Sequence, residues 1–328
     1  MIDYKIIKLK NLSPWHLGIG KEDYDFSAPV LESDAIIAAL TSIKASKGGK
    51  DNLKDFIQSF KLSSAFPYIN NILFLPRMSG NNRIHVEGED DAICRKRIKK
   101  IQFIEYPLWI ELLKGNEIIA HKEQIQSSFL TCHSNYSTNI FFKQVVQRVA
   151  IPRDEESLSV PFFFEWTYFN NNDKCGLYCI VDCNKETFQE IVSLFETLGE
   201  IGIGTDKSVG GGKFEIDISN ICFPEYKNTN ASILLSTYIP LKDELKVIDF
   251  SNSSYDLLLR GGFMAGSSIY ELRHLRRKSI YMFKPGSVLK TSQPLKGQIV
   301  DLAPNWNDNR MHPVYRSGIP FVVPFNID

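Results

Sequence analysis

Residues 202–213 read GIGTDKSVGGGK, with five glycines in eleven positions, and carry more information about the fold than any other segment. Glycine loses the most conformational freedom on folding, so a chain keeps it where backbone turns with positive φ or approaches another group closely. Exposed amides in such a loop are good donors to phosphate oxygens, and Lys207 and Lys213 add positive charge. The segment predicts a phosphate-binding turn, and a flexible connector is the alternative that the residues leave open.

Two well-known phosphate-binding motifs do not fit this segment. The Walker motif needs Gly-Lys followed by Ser or Thr, but Phe214 follows Lys213, and the dinucleotide motif needs a glycine where Lys207 stands. The dinucleotide motif also joins a strand to the start of a helix, whereas this loop follows a helical pattern and precedes a strand pattern. A nucleotide-binding enzyme is therefore the least favoured function.

The loop is flanked by the clearest helix pattern in the chain. We expect Asn184 to cap this helix and Gly199 to close it, and a strand to follow over 213–218. The apolar stripe at helical spacing consists of Phe188, Ile191, Val192, Phe195 and Leu198.

Strand and helix patterns also occupy the segments before it. Residues 2–10 alternate as a half-buried strand, Ser33 is expected to cap a helix, and a second helix is expected over 52–60. Further strand patterns cover 145–151, 160–169 and 176–182. This order predicts a ferredoxin-like, RRM-like βαββαβ unit with a long insertion over about 62–144.

The last hundred residues contain strand patterns and little helical pattern. Strands are expected over 232–239, 254–260, 278–283, 298–302 and 319–323. We therefore predict an α+β chain of two ferredoxin-like domains, with the first at 1–222 and a second, degenerate one at 223–328. The Pro- and Asn-rich stretch 223–230 marks the boundary.

Three segments together resemble the RAMP superfamily, the RNA-binding subunits of CRISPR interference complexes. The first is the glycine loop after the second helix of a βαββαβ unit; the second is Pro-Trp-His-Leu-Gly-Ile-Gly at 14–20. The third is His-Pro-Val-Tyr-Arg-Ser-Gly at 312–318, which resembles the C-terminus of one subunit of the type III-A (Csm) complex, the subunit that binds the crRNA 5′ handle.

This resemblance implies a non-catalytic scaffold. Such a subunit clamps the repeat-derived 5′ handle of the crRNA and bridges the large polymerase-like subunit to the backbone RAMP subunits, while a β-hairpin thumb wedges into the guide–target duplex. Target RNA is contacted indirectly, and no cofactor, metal or membrane is implied. The metal-independent repeat endoribonucleases are RAMP relatives, so a nuclease that uses His16 as a base is the alternative.

Two basic clusters add candidate RNA contacts. The first spans 95–100 and follows an acidic run at 87–91, so a neutralised, solvated charge run is the alternative; the second spans 273–278 and precedes Tyr281 and Phe283. Residues expected to bind RNA are His16, Gly18, Gly202, Gly204, Lys207, Ser208, Gly210, Gly211, Gly212, Lys213, Arg260, Gly261, Arg273, Arg276, Arg277, Lys278, His312, Tyr315 and Arg316. Candidate contacts with target or guide are Arg95, Lys96, Arg97, Lys99, Lys100 and Arg148.

The composition is that of a globular protein with balanced charge. Lys plus Arg and Asp plus Glu both number 38, which disfavours a protein held to nucleic acid by its overall field but leaves room for a local basic groove. The apolar fraction of 43% argues against disorder, and no apolar run is long enough for a membrane span. Six cysteines without a signal peptide indicate the cytoplasm, and Cys175, Cys179 and Cys183 are predicted to be buried thiols rather than metal ligands.

Overall fold

The computed structural model describes residues 1–18, 24, 26–28, 30–48, 52–80, 83–87, 91–133, 140–151, 158–170, 174–264 and 266–327. Within helix 91–100 the side chains of Asp91, Ala92, Cys94 and Arg95 lie outside the description. The architecture is mixed α+β with strands predominating, which confirms the predicted class. No helix in the described ranges is both long enough and apolar enough to cross a membrane.

The elements follow one another in a mixed order along the chain. The helices are α1 Ser33–Ser46, α2 Leu53–Gln58, α3 Asp91–Lys100, α4 Tyr106–Leu113, α5 Lys185–Ile201 and α6 Glu244–Val247. The first strands are β1 Ile2–Lys10, β2 Lys61–Leu62, β3 Phe66–Ile69, β4 Ile72–Pro76, β5 Ile84–Val86, β6 Phe103–Glu105, β7 Ile118–Ala120, β8 Ile125–Gln126, β9 Phe129–Leu130, β10 Phe141–Ala150 and β11 Val160–Phe169. The later ones are β12 Cys175–Asp182, β13 Glu215–Phe223, β14 Ala231–Leu234, β15 Asp249–Ser254, β16 Leu257–Arg260, β17 Ile280–Phe283, β18 Val288–Lys290, β19 Ile299–Asp301, β20 Tyr315–Ser317 and β21 Val322–Phe325.

The main sheet has the strand order β13-β1-β12-β3-β4-β6-β9-β8, and β2 pairs with β12 beside β3. β1 lies between β12 and β13 and pairs antiparallel with both. Its side chains alternate as predicted, because Ile7 and Leu9 enter the core under the helices while Ile6 enters the core on the opposite face.

α1 and α5 cover one face of this sheet through their apolar stripes. The side chain of Asn184 accepts a hydrogen bond from the Thr187 amide at 2.8 Å, which confirms the predicted N-cap. The prediction that Gly199 closes α5 is wrong, since the helix runs to Ile201 and ends at Gly202, where φ is +88°. Gly199 instead lets β13 approach, because a Cβ there would lie 2.3 Å from the Phe214 carbonyl oxygen.

The start of α1 also differs from the prediction. Glu32 is the N-cap and Ser33 is the first helical residue. The Ser33 hydroxyl lies 2.9 Å from the Thr237 hydroxyl, and the Glu32 carboxylate accepts a 2.7 Å hydrogen bond from Ser64. The start of the helix therefore contacts the C-terminal part of the chain, a long-range role that a capping pattern does not reveal.

The predicted strands at 145–151 and 160–169 form no part of the main sheet. β10 and β11 pair with each other over ten residues as a long hairpin. Residues 61–76, the start of the range expected as an insertion, instead supply β2, β3 and β4 of the main sheet. Alternation identifies a strand but not its partner, which explains the misassignment.

The C-terminal part is built on the sheet β15-β18-β14-β21, with two further hairpins, β16–β17 and β19–β20. Each strand expected there has a counterpart, although the observed ones are shorter. Ser64 and Leu235 are linked by a 2.9 Å backbone hydrogen bond, so this part packs directly on the first.

Candidate nucleic-acid interface

The glycine loop is fastened to the segment that follows β1. The fastening consists of backbone and hydroxyl hydrogen bonds to residues 13–16. These bonds are Thr205 N to His16 O at 3.0 Å, Gly212 N to Pro14 O at 2.9 Å, Ser13 N to Lys213 O at 2.9 Å and Lys213 N to Ser13 Oγ at 2.7 Å. Two of the segments that carry the family resemblance are thus one structural unit.

The prediction of exposed amides is wrong for the buried glycines of this loop. The amides of Gly202 and Gly212 donate to Leu198 and Pro14, at 2.8 and 2.9 Å, and Gly211 donates to Asp206 at 3.1 Å. These glycines provide room instead: a Cβ at Gly212 would lie 1.9 Å from the Ile203 carbonyl oxygen, and φ there is +69°. The glycines therefore shape the loop, and of the predicted phosphate contacts only those of its side chains are left open by this geometry.

The tip of the loop is what reaches solvent. Lys207, Ser208 and Val209 form a single 3₁₀ turn and are exposed, as is Lys213, while Gly204 and Gly210 are half-buried. The turn starts at Asp206, which has a left-handed φ of +58° and whose carbonyl accepts from the Val209 amide at 3.1 Å. The loop thus presents two lysines from a fixed backbone.

The β10–β11 hairpin lies against the same loop. Arg148 of β10 forms an ion pair with Asp206. The Arg148 guanidinium carbon lies 4.1 Å from the ring centroid of Phe164 and 5.2 Å from that of Trp166. Trp166 in turn packs on Gly211, where a Cβ would lie 3.2 Å from the indole. Arg148, predicted from sequence only as a loose contact, therefore lies beside Lys207.

His16 does not have the exposure that either of its predicted roles needs. Its side chain is 1% exposed, Nδ1 lies 2.8 Å from the Glu165 carbonyl oxygen, and the ring stacks on Phe164 with centroids 4.5 Å apart. A general base must come within hydrogen-bond reach of the hydroxyl that it deprotonates. His16 therefore packs in the interior here, and its burial gives no support to the predictions of RNA contact and of nuclease chemistry through it. Gly18 is exposed, and residues 19–23 beyond it lie outside the description.

Two predicted RNA-binding arginines are committed to a buried carboxylate. Asp34 of α1 is 0% exposed and accepts from Arg260 Nε at 2.8 Å and from Arg316 Nη1 at 3.0 Å. Arg316 is 2% exposed and also donates to the Asp34 carbonyl, and burial lowers the pKa of its guanidinium. This Asp34 latch joins α1 to β16 and β20. Asp34 is the observed partner of both arginines, so the structure gives no support to their predicted RNA contacts.

The basic segment 273–278 is brought next to the segment that contains His312. Arg273 Nε donates to the Ser267 carbonyl at 2.8 Å, and the Ser267 hydroxyl lies 2.8 Å from His312 Nε2. Arg277 is half-buried and donates to the Gly261 carbonyl at 2.8 Å. These predicted residues therefore lie on one surface, although Arg277 serves to fix the turn.

Exposed rings accompany the arginines of this surface, which we call the C-terminal basic surface (Gly261, Phe263, Tyr270, Arg273, Arg276, Lys278, His312). Tyr270 is 77% exposed with the Arg273 guanidinium 5.7 Å from its centroid, and Arg276 lies 4.8 Å from that of Phe263. Tyr315, by contrast, is half-buried against the α1–α5 core, with Lys54 Nζ 5.3 Å from its ring. Tyr270 and Phe263 were not among the residues predicted to bind RNA. They precede the basic run in sequence, whereas the aromatic residues associated with that run from sequence follow it.

The other basic run lies on α3, on the far side of the main sheet from the loop. Lys96, Lys99 and Lys100 are exposed and Arg97 is half-buried; the side chain of Arg95 lies outside the described residues. A shallow depression of about 390 Å³ lies along this helix, lined by Ile93, Lys96, Arg97, Lys100, Ile125 and Ser127. The structure does not bring this run together with the glycine loop.

Two of the three cysteines predicted to be buried, Cys175 and Cys179, are buried, whereas Cys183 is half-buried. Cys175 and Cys179 are at most 2% exposed, and burial raises the pKa of Cys179 well above its usual value and that of Cys183 to about 11. Among the described residues, no three metal-binding side chains come together.

Comparison with known proteins finds relatives of this chain in one family. Residues 227–325 match the family model of the CRISPR Csm4 C-terminal domain. This chain is similar to Csm4 proteins of type III-A CRISPR systems. A CRISPR system Csm4 protein of Methanocaldococcus jannaschii is 25% identical over 381 aligned positions, which cover 98% of this chain and 97% of that protein. The Csm4 protein of Mycobacterium tuberculosis (strain H37Rv) is 25% identical, over 92% of this chain and 91% of its own length.

Solved structures share the fold of this chain. A chain in the crystal structure of the Csm3–Csm4 subcomplex of the type III-A interference complex aligns with a TM-score of 0.62 and 21% identity, covering 98% of this chain and all of its own. A chain in the Csm1–Csm4 cassette in complex with cA4 aligns with a TM-score of 0.64 and 17% identity, covering all of this chain and 98% of its own. The predicted resemblance to the type III-A RAMP proteins is confirmed.

Proposed function

We propose that this subunit is a non-catalytic RNA-holding scaffold of a cytoplasmic type III-A CRISPR complex, which clamps the 5′ handle of the crRNA. The observation that carries the proposal is the exposed tip of the glycine loop, where Lys207, Ser208 and Lys213 project from a backbone tied down on both sides. Cations on a rigid turn are suited to hold phosphates in register without reading the bases.

The C-terminal basic surface supports the same role in a different manner. Arg273, Arg276 and Lys278 offer charge for phosphates, and the exposed Tyr270 and Phe263 offer faces on which unpaired bases stack. A single-stranded 5′ handle presents both groups at once. The overall charge balance fits a subunit that receives RNA within a complex, where assembly raises the local RNA concentration.

The β10–β11 hairpin is our candidate for the thumb. Val145, Val149 and Phe163 occupy alternate positions of one hairpin face and are 51%, 53% and 58% exposed. An apolar face held on a ten-residue ribbon is suited to enter a guide–target duplex between base steps. Target RNA would then be contacted through the thumb, and α3 offers further lysines for guide or target backbone.

The partners that we propose are the large polymerase-like subunit and the backbone RAMP subunits, since related chains occur in Csm1–Csm4 and Csm3–Csm4 assemblies. We also propose two ferredoxin-like domains, at 1–222 and 223–328. In the first, β13-β1-β12-β3 are neighbouring antiparallel strands with α1 and α5 on one face, as a βαββαβ unit requires. The insertion would then begin after β3 rather than at residue 62.

Replacing Lys207 and Lys213 together with alanine tests the proposal. We expect the double variant to bind a single-stranded oligoribonucleotide more weakly and with a smaller salt dependence. The slope of log Kd against log salt should fall by about 1.4, because each contact with a single-strand phosphate contributes about 0.7. The measurement is fluorescence anisotropy on the full chain between about 50 and 200 mM salt, a range wide enough to determine such a slope.

The matched control replaces two exposed lysines with alanine, Lys242 just before α6 and Lys246 within it. It removes the same charge far from the loop, so its slope should equal that of the unmodified chain. An unchanged slope in the Lys207 and Lys213 variant would remove the loop from the interface.

A further inference from the structure

The Arg148–Asp206 ion pair has aromatic contacts that an ordinary surface salt bridge lacks. The Arg148 guanidinium is held by the faces of Phe164 and Trp166, at 4.1 and 5.2 Å from the ring centroids. Its partner Asp206 starts the exposed turn that contains Lys207 and Ser208. A guanidinium fixed by rings is preorganised for planar recognition of an oxyanion.

The pair is accessible from solvent. The side chains of Arg148 and Asp206 are 32% and 30% exposed, and Lys207 and Ser208 next to them are exposed as well. A guanidinium has five N–H donors, and the Asp206 carboxylate occupies part of this fork. An incoming anion can therefore reach the same arginine from the solvent side.

Asp206 is an unexpected residue in a loop that meets phosphates, since its charge repels them. Its backbone explains the position but not the charge: φ is +58°, and its carbonyl accepts from the Val209 and Gly211 amides, each at 3.1 Å. Asparagine adopts this left-handed conformation at least as readily and is nearly isosteric. The carboxylate thus contributes something besides the turn, and what it contacts is Arg148.

We propose that Arg148, which lies over the neighbouring rings of Phe164 and Trp166, is a phosphodiester subsite in which the Asp206 carboxylate stands in for the phosphate of a nucleic-acid strand. When RNA reaches the Lys207 turn, a phosphate displaces Asp206 from the guanidinium. This inference rests on the proposed function. It adds that the Asp206 carboxylate competes with RNA for Arg148 and so lowers the affinity of the unassembled subunit for RNA. The fold itself is unaffected, because the turn is held by backbone hydrogen bonds.

Replacing Asp206 with asparagine tests the subsite. The variant should bind a single-stranded oligouridylate about five-fold more tightly, because RNA no longer has to break the Arg148–Asp206 ion pair. About five-fold is the effect of one exposed ion pair on an equilibrium constant. The salt slope should increase by about 0.7, one additional phosphate contact. The gain should vanish when the Asp206→Asn, Arg148→Met double variant is compared with Arg148→Met alone, because no guanidinium is then left for the phosphate to bind.

The control is Asp182→Asn, which removes the same charge from an exposed pair with Lys61 elsewhere on the sheet and should leave RNA affinity unchanged. An equal gain in this control, or a gain that persists in the double variant, would show a general charge effect and overturn the subsite. No gain in Asp206→Asn with either a single-stranded or a duplex RNA would overturn it too, even where the Lys207 and Lys213 variant has established RNA binding by the loop. The proposed function is tested separately by the Lys207 and Lys213 variant. An unchanged salt slope in that variant would contradict the proposed function whatever the result for Asp206→Asn.

Two RNA probes identify the source of the phosphate. A gain with the single-stranded oligouridylate assigns the subsite to an unpaired strand such as the guide, and a gain with an oligouridylate–oligoadenylate duplex alone assigns it to a paired one. Both results support a phosphodiester at Arg148, whereas no gain with either probe contradicts it.

Discussion

Replacing Asp34 with asparagine is expected to lower the free energy of unfolding by about 3–5 kcal/mol, the usual cost of removing one partner from a buried ion pair. The substitution leaves Arg316, which is 2% exposed, without a counter-charge. Arg260 has a side chain that is 18% exposed and can reach water, so most of the cost arises at Arg316. The midpoint of urea unfolding measures the effect.

Two further variants keep this prediction testable where the single variant does not fold. Adding Arg316→Met to Asp34→Asn removes the unpaired charge and should recover much of the lost stability or of the soluble yield. Asp243→Asn breaks an exposed pair with Lys246 and should leave the midpoint unchanged. A wild-type midpoint for Asp34→Asn would show that the Asp34 latch contributes little.

Replacing Gly212 with asparagine is expected to have the second largest effect, at the upper end of about 1–3 kcal/mol, because a side chain there has no room. Its Cβ would lie 1.9 Å from the Ile203 carbonyl oxygen, so the backbone of the loop must move. The hydrogen bond from Gly212 to Pro14 would be strained at the same time, and the two lysines would lose their fixed spacing. Thermal unfolding and RNA anisotropy should therefore both report the change.

Gly210 offers a matched control in the same loop. Its φ is +87°, also left-handed, but a Cβ there meets nothing within 4 Å. Because asparagine tolerates this conformation, Gly210→Asn should remain close to the unmodified chain in both measurements. Equal losses at the two positions would mean that flexibility, rather than space, is the reason for the glycines.

Local patterns predicted the elements that depend on nearby residues. The alternation of β1 and the Asn184 cap of α5 are set within a few positions and are confirmed. The partners of strands are set by tertiary packing, so the hairpin of β10 and β11 was mistaken for part of the main sheet. Ser33 shows the same limit, since its hydroxyl meets Thr237, more than two hundred residues away.

The candidate site was predictable in its composition but less so in its geometry. The glycine segment marked the correct turn, yet a sequence cannot show that the amides of Gly202 and Gly212 are already paired. Arg316 was judged by its charge, and only the fold reveals Asp34 beside it. Asp206 carried a signal that could have been used, because an acid among phosphate-seeking groups suggests a basic partner elsewhere.

The central position of β1 has a consequence for synthesis on the ribosome. Its neighbours are β12 and β13, and Lys10 pairs with Glu215. At about 5–20 residues per second, the ribosome needs on the order of 10–40 s to make the intervening chain. During this interval residues 2–10 lack the strand that covers one of their edges, and chaperones that shield such segments during translation would then bind them.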